Sequence, residues 1–231
     1  MPNCEVKTLS GNERVRGLIA DFSNLEEVSK MAKTVCRDIP KLDVLINNAG
    51  VFKVENTQNK DGLDVRMVVN YLAPYVLTNA LLPLLDKSAK GRVVNLSSAA
   101  QESVEEAVLK GEEYIDAHSV YAQSKLALTM WSFDLAKEQQ EVLVIAVNPG
   151  SLLNTKMVQE AYGKHWSSAD KGANILFELA LSEDYRGVTG KYFNNDLGAD
   201  KGMFGEAHPD AYDEDKLNAL KTITQSIVAS K

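Results

Sequence analysis

A tyrosine and a lysine four residues apart occur twice in this chain, as Tyr121 and Lys125 in "SVYAQSKLAL" and as Tyr212 and Lys216 in "YDEDK". On a helix, residues at this spacing lie one above the other, so either pair could act together. The chemistry on offer is proton transfer. A tyrosine of pKa ~10 is a poor proton-transfer group near neutrality. A lysine charge at ~4 Å is worth ~4 kcal/mol at an effective dielectric of 20. At ~1.4 kcal/mol per pKa unit, that brings the phenol toward 7 without a metal.

The elements around each pair separate them. Strand-like and helix-like segments alternate along the chain: strands are expected at 14–21, 43–50, 91–98, 141–150 and 190–193. Helices are expected from a Ser23–Glu26 capping box to about Arg37, from Leu63 to Leu85, around Tyr121, from Ala169 to Leu181 and at the C-terminus. This alternation implies an α/β fold with a mostly parallel sheet covered on both faces. In such sheets ligands bind beyond the carboxyl ends of the strands. Asp21, Asn48 to Gly50, Ser97 and Ser98, and Asn148 to Gly150 all fall at strand ends, so one edge gathers polar residues and glycines. Tyr121 opens a helix with apolar Leu126, Leu128, Trp131 and Leu135, which should pack on the sheet. Tyr212 and Lys216 stand among Asp213, Glu214 and Asp215 after Pro209, where the lysine answers local acidic charge. The first pair is the candidate.

The 231 residues are 45% hydrophobic and 25% charged, which fits a single domain over 1–231 with a proper core. A net charge of −7 without a basic stripe argues against nucleic acid as a partner. No apolar run reaches the ~18 residues a membrane helix needs, so no transmembrane segment is expected; no signal-peptide core is apparent, and Cys4 and Cys36 make no disulfide framework. A cytoplasmic setting is expected. His118, His165 and His208 lack metal-ligand spacing and read as surface residues, so no metal site is expected.

The ordered set "NNAG" (47–50), Asn70, "NLSS" (95–98), Tyr121 with Lys125, and "NPG" (148–150) with Thr155 resembles the short-chain dehydrogenase/reductase family. The resemblance covers nearly the whole chain and implies a Rossmann-type doubly wound fold, NAD or NADP as cofactor, and oxidoreductase chemistry. It implies that Ser98 orients the substrate oxygen, Tyr121 exchanges a proton with it, Lys125 binds the nicotinamide ribose and lowers the tyrosine pKa, and Asn70 holds a relay water. It also implies cofactor contacts from Asp21 and Phe22 at the adenine, from Asn48, Ala49 and Gly50 at the adenosine ribose, and from Pro149, Gly150, Leu152 and Thr155 near the nicotinamide. Thr155 falls one residue later after the Pro-Gly pair than the family pattern has it. For Asp21 a helix-capping role, and for Ser97 a hydroxyl bonded to nearby backbone, are the plainer readings.

The family's glycine-rich phosphate loop, T-G-x-x-x-G-x-G, is absent ahead of Asp21. By the family pattern the chain starts within the second helix, without the first strand, first helix and second strand. Those strands would lie between the strand ending at Asp21 and that ending at Asn48, so apolar edges should be exposed. The near match "GADKGMFG" (198–205) reads as a surface loop. Two functions follow: an NAD(P)-dependent oxidoreductase, or a catalytically silent binding or interaction subunit. The intact Asn70, Ser98, Tyr121 and Lys125 favour the enzyme.

Ser98 and Tyr121 are 23 positions apart, a long separation that resembles the retinol-dehydrogenase-like branch. The extra loop carries Val104, Val108, Leu109 and Tyr114, and the segment after Gly150 carries Leu152, Leu153, Met157, Tyr162 and Trp166. Together they are expected to wall a pocket for an apolar alcohol or carbonyl compound. A homo-oligomer stays open.

Overall fold

A computed structural model describes residues 2–198 and 201–230. A short helix, α1 (Pro2–Ser10), leads into an irregular segment and then α2 (Leu25–Asp38). Asn24, not Ser23, caps α2 by accepting the N–H of Glu26, one residue later than expected. Leu25, Val28 and Ala32 form its buried stripe, and it stops at Ile39, which Pro40 holds extended.

The strand expected at 14–21 does not form. Leu18 is 49% and Ile19 fully exposed, because no neighbouring strand lies beside this segment to take its ladder bonds. Asp21 instead makes a turn, accepting the N–H and hydroxyl of Ser23.

The first strand is β1 (Val44–Asn47). A continuous helical run follows, from α3 (Val65–Met67) through a π-turn at Val68–Leu72 into α4 (Ala73–Leu85). Pro74 has no N–H for the carbonyl of Asn70 four residues back, a local reason for the widened turn. Val65–Leu85 is long and apolar enough to cross a membrane by length and composition, and 72% of its most apolar window is buried inside the fold.

Next come β2 (Arg92–Leu96), the short α5 (Glu106–Leu109), α6 (Ala117–Glu138) and β3 (Leu143–Asn148). Then follow α7 (Lys156–Tyr162), α8 (Ala169–Leu181), β4 (Lys191–Asn194), β5 (Met203–Gly205) and α9 (Glu214–Ala229). The five strands lie in sequence order, parallel through β4, with β5 antiparallel at the far edge. The α/β class expected is the one observed. The segment read as a surface loop at 198–205 contains β5; its Ala199 and Asp200 lie outside the described residues. On β1, the open edge, Ile46 is 40% exposed.

Helices α2, α4, α6 and α9 contribute to the larger core on one side of the sheet, and α8 to a smaller core with Val94, Ile145 and Phe193 on the other. Buried Arg92 donates to the carbonyls of Leu179 and Ser182, satisfying the end of α8. Val108 and Leu109 are each 1% exposed within the larger core. They sink into the fold instead of walling the substrate pocket, as does Val104 in part, while Tyr114 is exposed and bonds Gln58.

Candidate active site

Parallel pairing brings Asn47 level with Asn95 and Asn148 level with Asn194 at the carboxyl ends of their strands. Below the resulting cleft, Asn47 donates to Thr78 (2.9 Å) and Asn95 (2.7 Å), and Asn95 donates to Ser132 (2.8 Å). This buried chain ties β1 and β2 to α4 and α6. Buried amides without such partners would be costly.

Asp116 caps α6 by accepting the N–H groups of His118 and Ser119, which starts the helix one turn before Tyr121. Tyr121 and Ser98 line the cleft together, and the Ser98 side chain draws the Tyr121 hydroxyl pKa down. Ser98 is held in turn: its Oγ accepts the N–H of Ala100 (3.1 Å), and its carbonyl accepts from Gln101 and from the Tyr192 hydroxyl. Ser97 points away into the fold, bonding the Lys125 carbonyl and Thr129. The plain reading of Ser97 holds.

Lys125 is buried, and its ammonium donates to the Leu96 carbonyl at 2.7 Å. Burial lowers its pKa from 10.5 to about 8. Burial pushes the Tyr121 hydroxyl above its ordinary value, the Ser98 side chain pulls it down, and Tyr162 adds to the rise. The lysine charge lies over the ring, 5.6 Å from its centroid, and gives one of its three N–H groups to Leu96.

Asn70 sits in the π-turn with its side chain wholly engaged. It accepts the Val51 N–H (2.8 Å) and donates to the Val51 carbonyl and to Ser124. Its observed work is to clamp the chain just after Gly50. Arg66 holds the next residue, donating to the Phe52 carbonyl at 2.7 Å while buried against Asp64 at 3.0 Å. Phe52 packs its ring on Tyr121 at 5.2 Å edge-on and stacks with Tyr162 at 6.0 Å. Neither Arg66 nor Phe52 stands out in the sequence, since their meaning comes from what they touch.

Two chambers meet at Ser98 and Tyr121. The first, about 420 Å³, is lined by Asn48, Ala49, Gly50, Lys125, Pro149, Gly150 and Thr155 among others. A Cβ on Gly50 would come 3.5 Å from the Lys125 ammonium, so glycine keeps that floor open. The second, about 400 Å³, has walls of Phe52, His118, Leu152, Tyr162 and Trp166, with Ala99 and Ala100. Leu152 thus faces the second chamber, and exposed His118 stands at its rim. Thr155 also caps α7 by accepting the Val158 N–H. Asp21 and Phe22 line neither chamber: Asp21 is spent on its own turn, and Phe22 packs against the core. The other Tyr-Lys pair is elsewhere, with Lys216 bound to Asp210 at 2.8 Å as its acidic surroundings suggested.

The family model for short chain dehydrogenases matches residues 4–165, more than two thirds of the chain. The chain belongs to the short chain dehydrogenase family. Among curated relatives of this dehydrogenase, mouse retinol dehydrogenase 13 is 30% identical over 254 aligned residues, covering 99% of this chain and 74% of that protein. Mouse retinol dehydrogenase 12 is 32% identical over 203 residues, covering 83% of this chain and 64% of its own length. The chain therefore spans about two thirds to three quarters of these relatives. Among solved structures, a protein of Mycobacterium paratuberculosis shares the fold at a TM-score of 0.71 and 23% identity, covering 96% of this chain and 80% of that one. A short chain dehydrogenase of Escherichia coli CFT073 solved with NADPH aligns at a TM-score of 0.65 and 27% identity, covering 83% and 79%.

Proposed function

We propose that the cleft carries out reversible hydride exchange between a nicotinamide cofactor and an apolar secondary alcohol, ketone or aldehyde. The observation that carries this reading is the meeting of two chambers at Ser98 and Tyr121, one floored by Gly50 beside the Lys125 ammonium, the other walled by aromatic rings.

The nicotinamide and ribose end of the cofactor fits the first chamber: Gly50 leaves room, Lys125 offers an ammonium, and the Pro149–Thr155 turn forms the wall. The pyrophosphate end finds no glycine-rich loop in this sequence. When bound, such a cofactor accepts or delivers the hydride. The chain's residues handle the rest. Ser98 hydrogen-bonds the substrate oxygen, and Tyr121 takes its proton as the alcohol is oxidised or returns it as the carbonyl is reduced. Lys125 holds positive charge beneath the forming phenolate. Asn70 and Arg66 fix the strand-end segment that carries Phe52 against Tyr121.

The second chamber supports an apolar substrate, because four of its walls are aromatic rings, those of Phe52, His118, Tyr162 and Trp166. The retinol dehydrogenases among the relatives agree with that class. A panel of alcohols tests it: ring-bearing or long-chain alcohols should be turned over faster than small polar ones, and Phe52→Ala should narrow that margin. A preference for small polar alcohols would sink the proposal. The competing reading, a silent binding subunit, draws on the missing pyrophosphate donors, and the engaged Ser98–Tyr121–Lys125 set weighs against it.

A further inference from the structure

We infer that Asp196 is a positioning residue for the turn shared by the two chambers, acting through Ser151 and Asn148. The inference rests on the proposed reaction for its catalytic consequence and on geometry alone for the hold itself.

The turn from Pro149 to Thr155 is awkward backbone. Gly150 has φ +123°, and Leu152, a branched non-glycine residue, has φ +46°. A left-handed leucine is strained and persists only where its surroundings enforce it. Some restraint comes from the α7–α8 side, where Trp166 donates its N–H to the Leu152 carbonyl and Asn154 donates to Ser167. On the sheet side one carboxylate makes most of the bonds to the turn, with Asn194 and Asn195 beside it.

Asp196 follows β4 by two residues. Its oxygens accept the Ser151 N–H at 2.9 and 3.1 Å, the Ser151 hydroxyl at 2.5 Å and the Asn148 amide at 2.8 Å. Hydrogen bonds to a charged acceptor are the stronger kind. Together with a second bond from the same amide to Asn194 at 2.9 Å, this orients Asn148 so that its own oxygen accepts the Gly150 N–H at 3.2 Å. The carboxylate thus fixes the residues before and after Gly150, at the point where the turn lines both chambers. Asn195 adds a bond to the Pro149 carbonyl beside it. Nothing in the local sequence marks Asp196, which lies 45 positions from Ser151.

Asp196→Ala, Asp196→Asn and Ser151→Ala test this in the full chain, with circular dichroism to confirm folding. Trypsin cleavage after Lys156, whose side chain is 89% exposed just beyond the turn, reports the hold, and cleavage after exposed Lys87 is the control. Cleavage after Lys156 should rise about tenfold or more in Asp196→Ala, the factor given by one lost strong bond, and less in the other two. Cleavage after Lys87 should not change. Turnover of an apolar ketone at millimolar NADPH should fall in the same order. Unchanged Lys156 cleavage in whichever variants fold overturns the inference, as does raised cleavage with turnover intact. A wild-type chain without turnover would instead overturn the proposed function, and the cleavage series would still decide the hold.

Discussion

The ammonium of Lys125 lies over the ring of Tyr121, 5.6 Å from its centroid, and gives its hydrogen bond to the Leu96 carbonyl. A lysine so placed stabilises a phenolate only through its charge, while the Ser98 side chain draws the Tyr121 hydroxyl down. Both groups pay for burial: the tyrosine is pushed up and the lysine down to about 8.

The lysine shift makes stability depend on pH. Lys125 releases its proton at about 8 in the folded chain and at 10.5 when unfolded, so the unfolded state binds more protons between those values. Burying the charge costs stability below about 8, and the cost is relieved as pH rises toward 10.5. At ~1.4 kcal/mol per unit the relief is at most roughly 3 kcal/mol. Urea unfolding should show the wild type gaining on Lys125→Met over this window. Parallel curves for the two proteins would mean that the ammonium is not desolvated.

Arg66 and Asp64 form a buried ion pair, with side chains 6% and 10% exposed. Removing one partner strands the other, at a cost of about 3–5 kcal/mol. Arg66→Met should therefore unfold at markedly lower urea, and adding Asp64→Asn, which can still accept the Arg66 N–H at the start of α3, should recover part of the loss. Simple additivity in that double-mutant cycle would show the two are not coupled.

Much of this site is legible in the sequence because its key residues sit where periodicity ends. Asn48–Gly50, Ser98 and Asn148–Gly150 follow buried apolar runs, and Tyr121 follows a capped helix start. Tyr121 is separable from Tyr212 on local context, whereas the preference for Ser98 over Ser97 comes from the family resemblance. The segment 14–21 misleads because its apolar residues look like a strand, yet a strand needs a neighbour, and none is beside it. Residues 104–114 mislead for the opposite reason: Val108 and Leu109 suit a pocket wall as well as a core, and the fold uses them in the core. Arg66, Phe52 and Asp196 act through backbone atoms or rings far away in sequence, which no local pattern records.

The polypeptide as written should bind NADPH weakly. Micromolar affinity corresponds to ~8 kcal/mol, and three or four missing charge-assisted bonds to the pyrophosphate at ~1.5 kcal/mol or more each consume most of it. A titration followed by cofactor fluorescence should give a dissociation constant of millimolar or weaker. An N-terminal extension carrying a glycine-rich loop should tighten it. Micromolar binding by the unextended chain would show that other residues supply the pyrophosphate donors.

The central claim is that Tyr121, and not any other tyrosine beside a lysine, is the proton-transfer group. The direct measurement is turnover of an apolar secondary alcohol at one fixed millimolar cofactor concentration in the wild type, Tyr121→Phe and Lys216→Ala. Tyr121→Phe should lose about a hundredfold or more, the scale of a general acid–base group, with its folded stability intact. Lys216→Ala, which removes only the ion pair to Asp210, should stay within about twofold of wild type. Equal losses in the two variants, or full activity in Tyr121→Phe, would contradict the assignment.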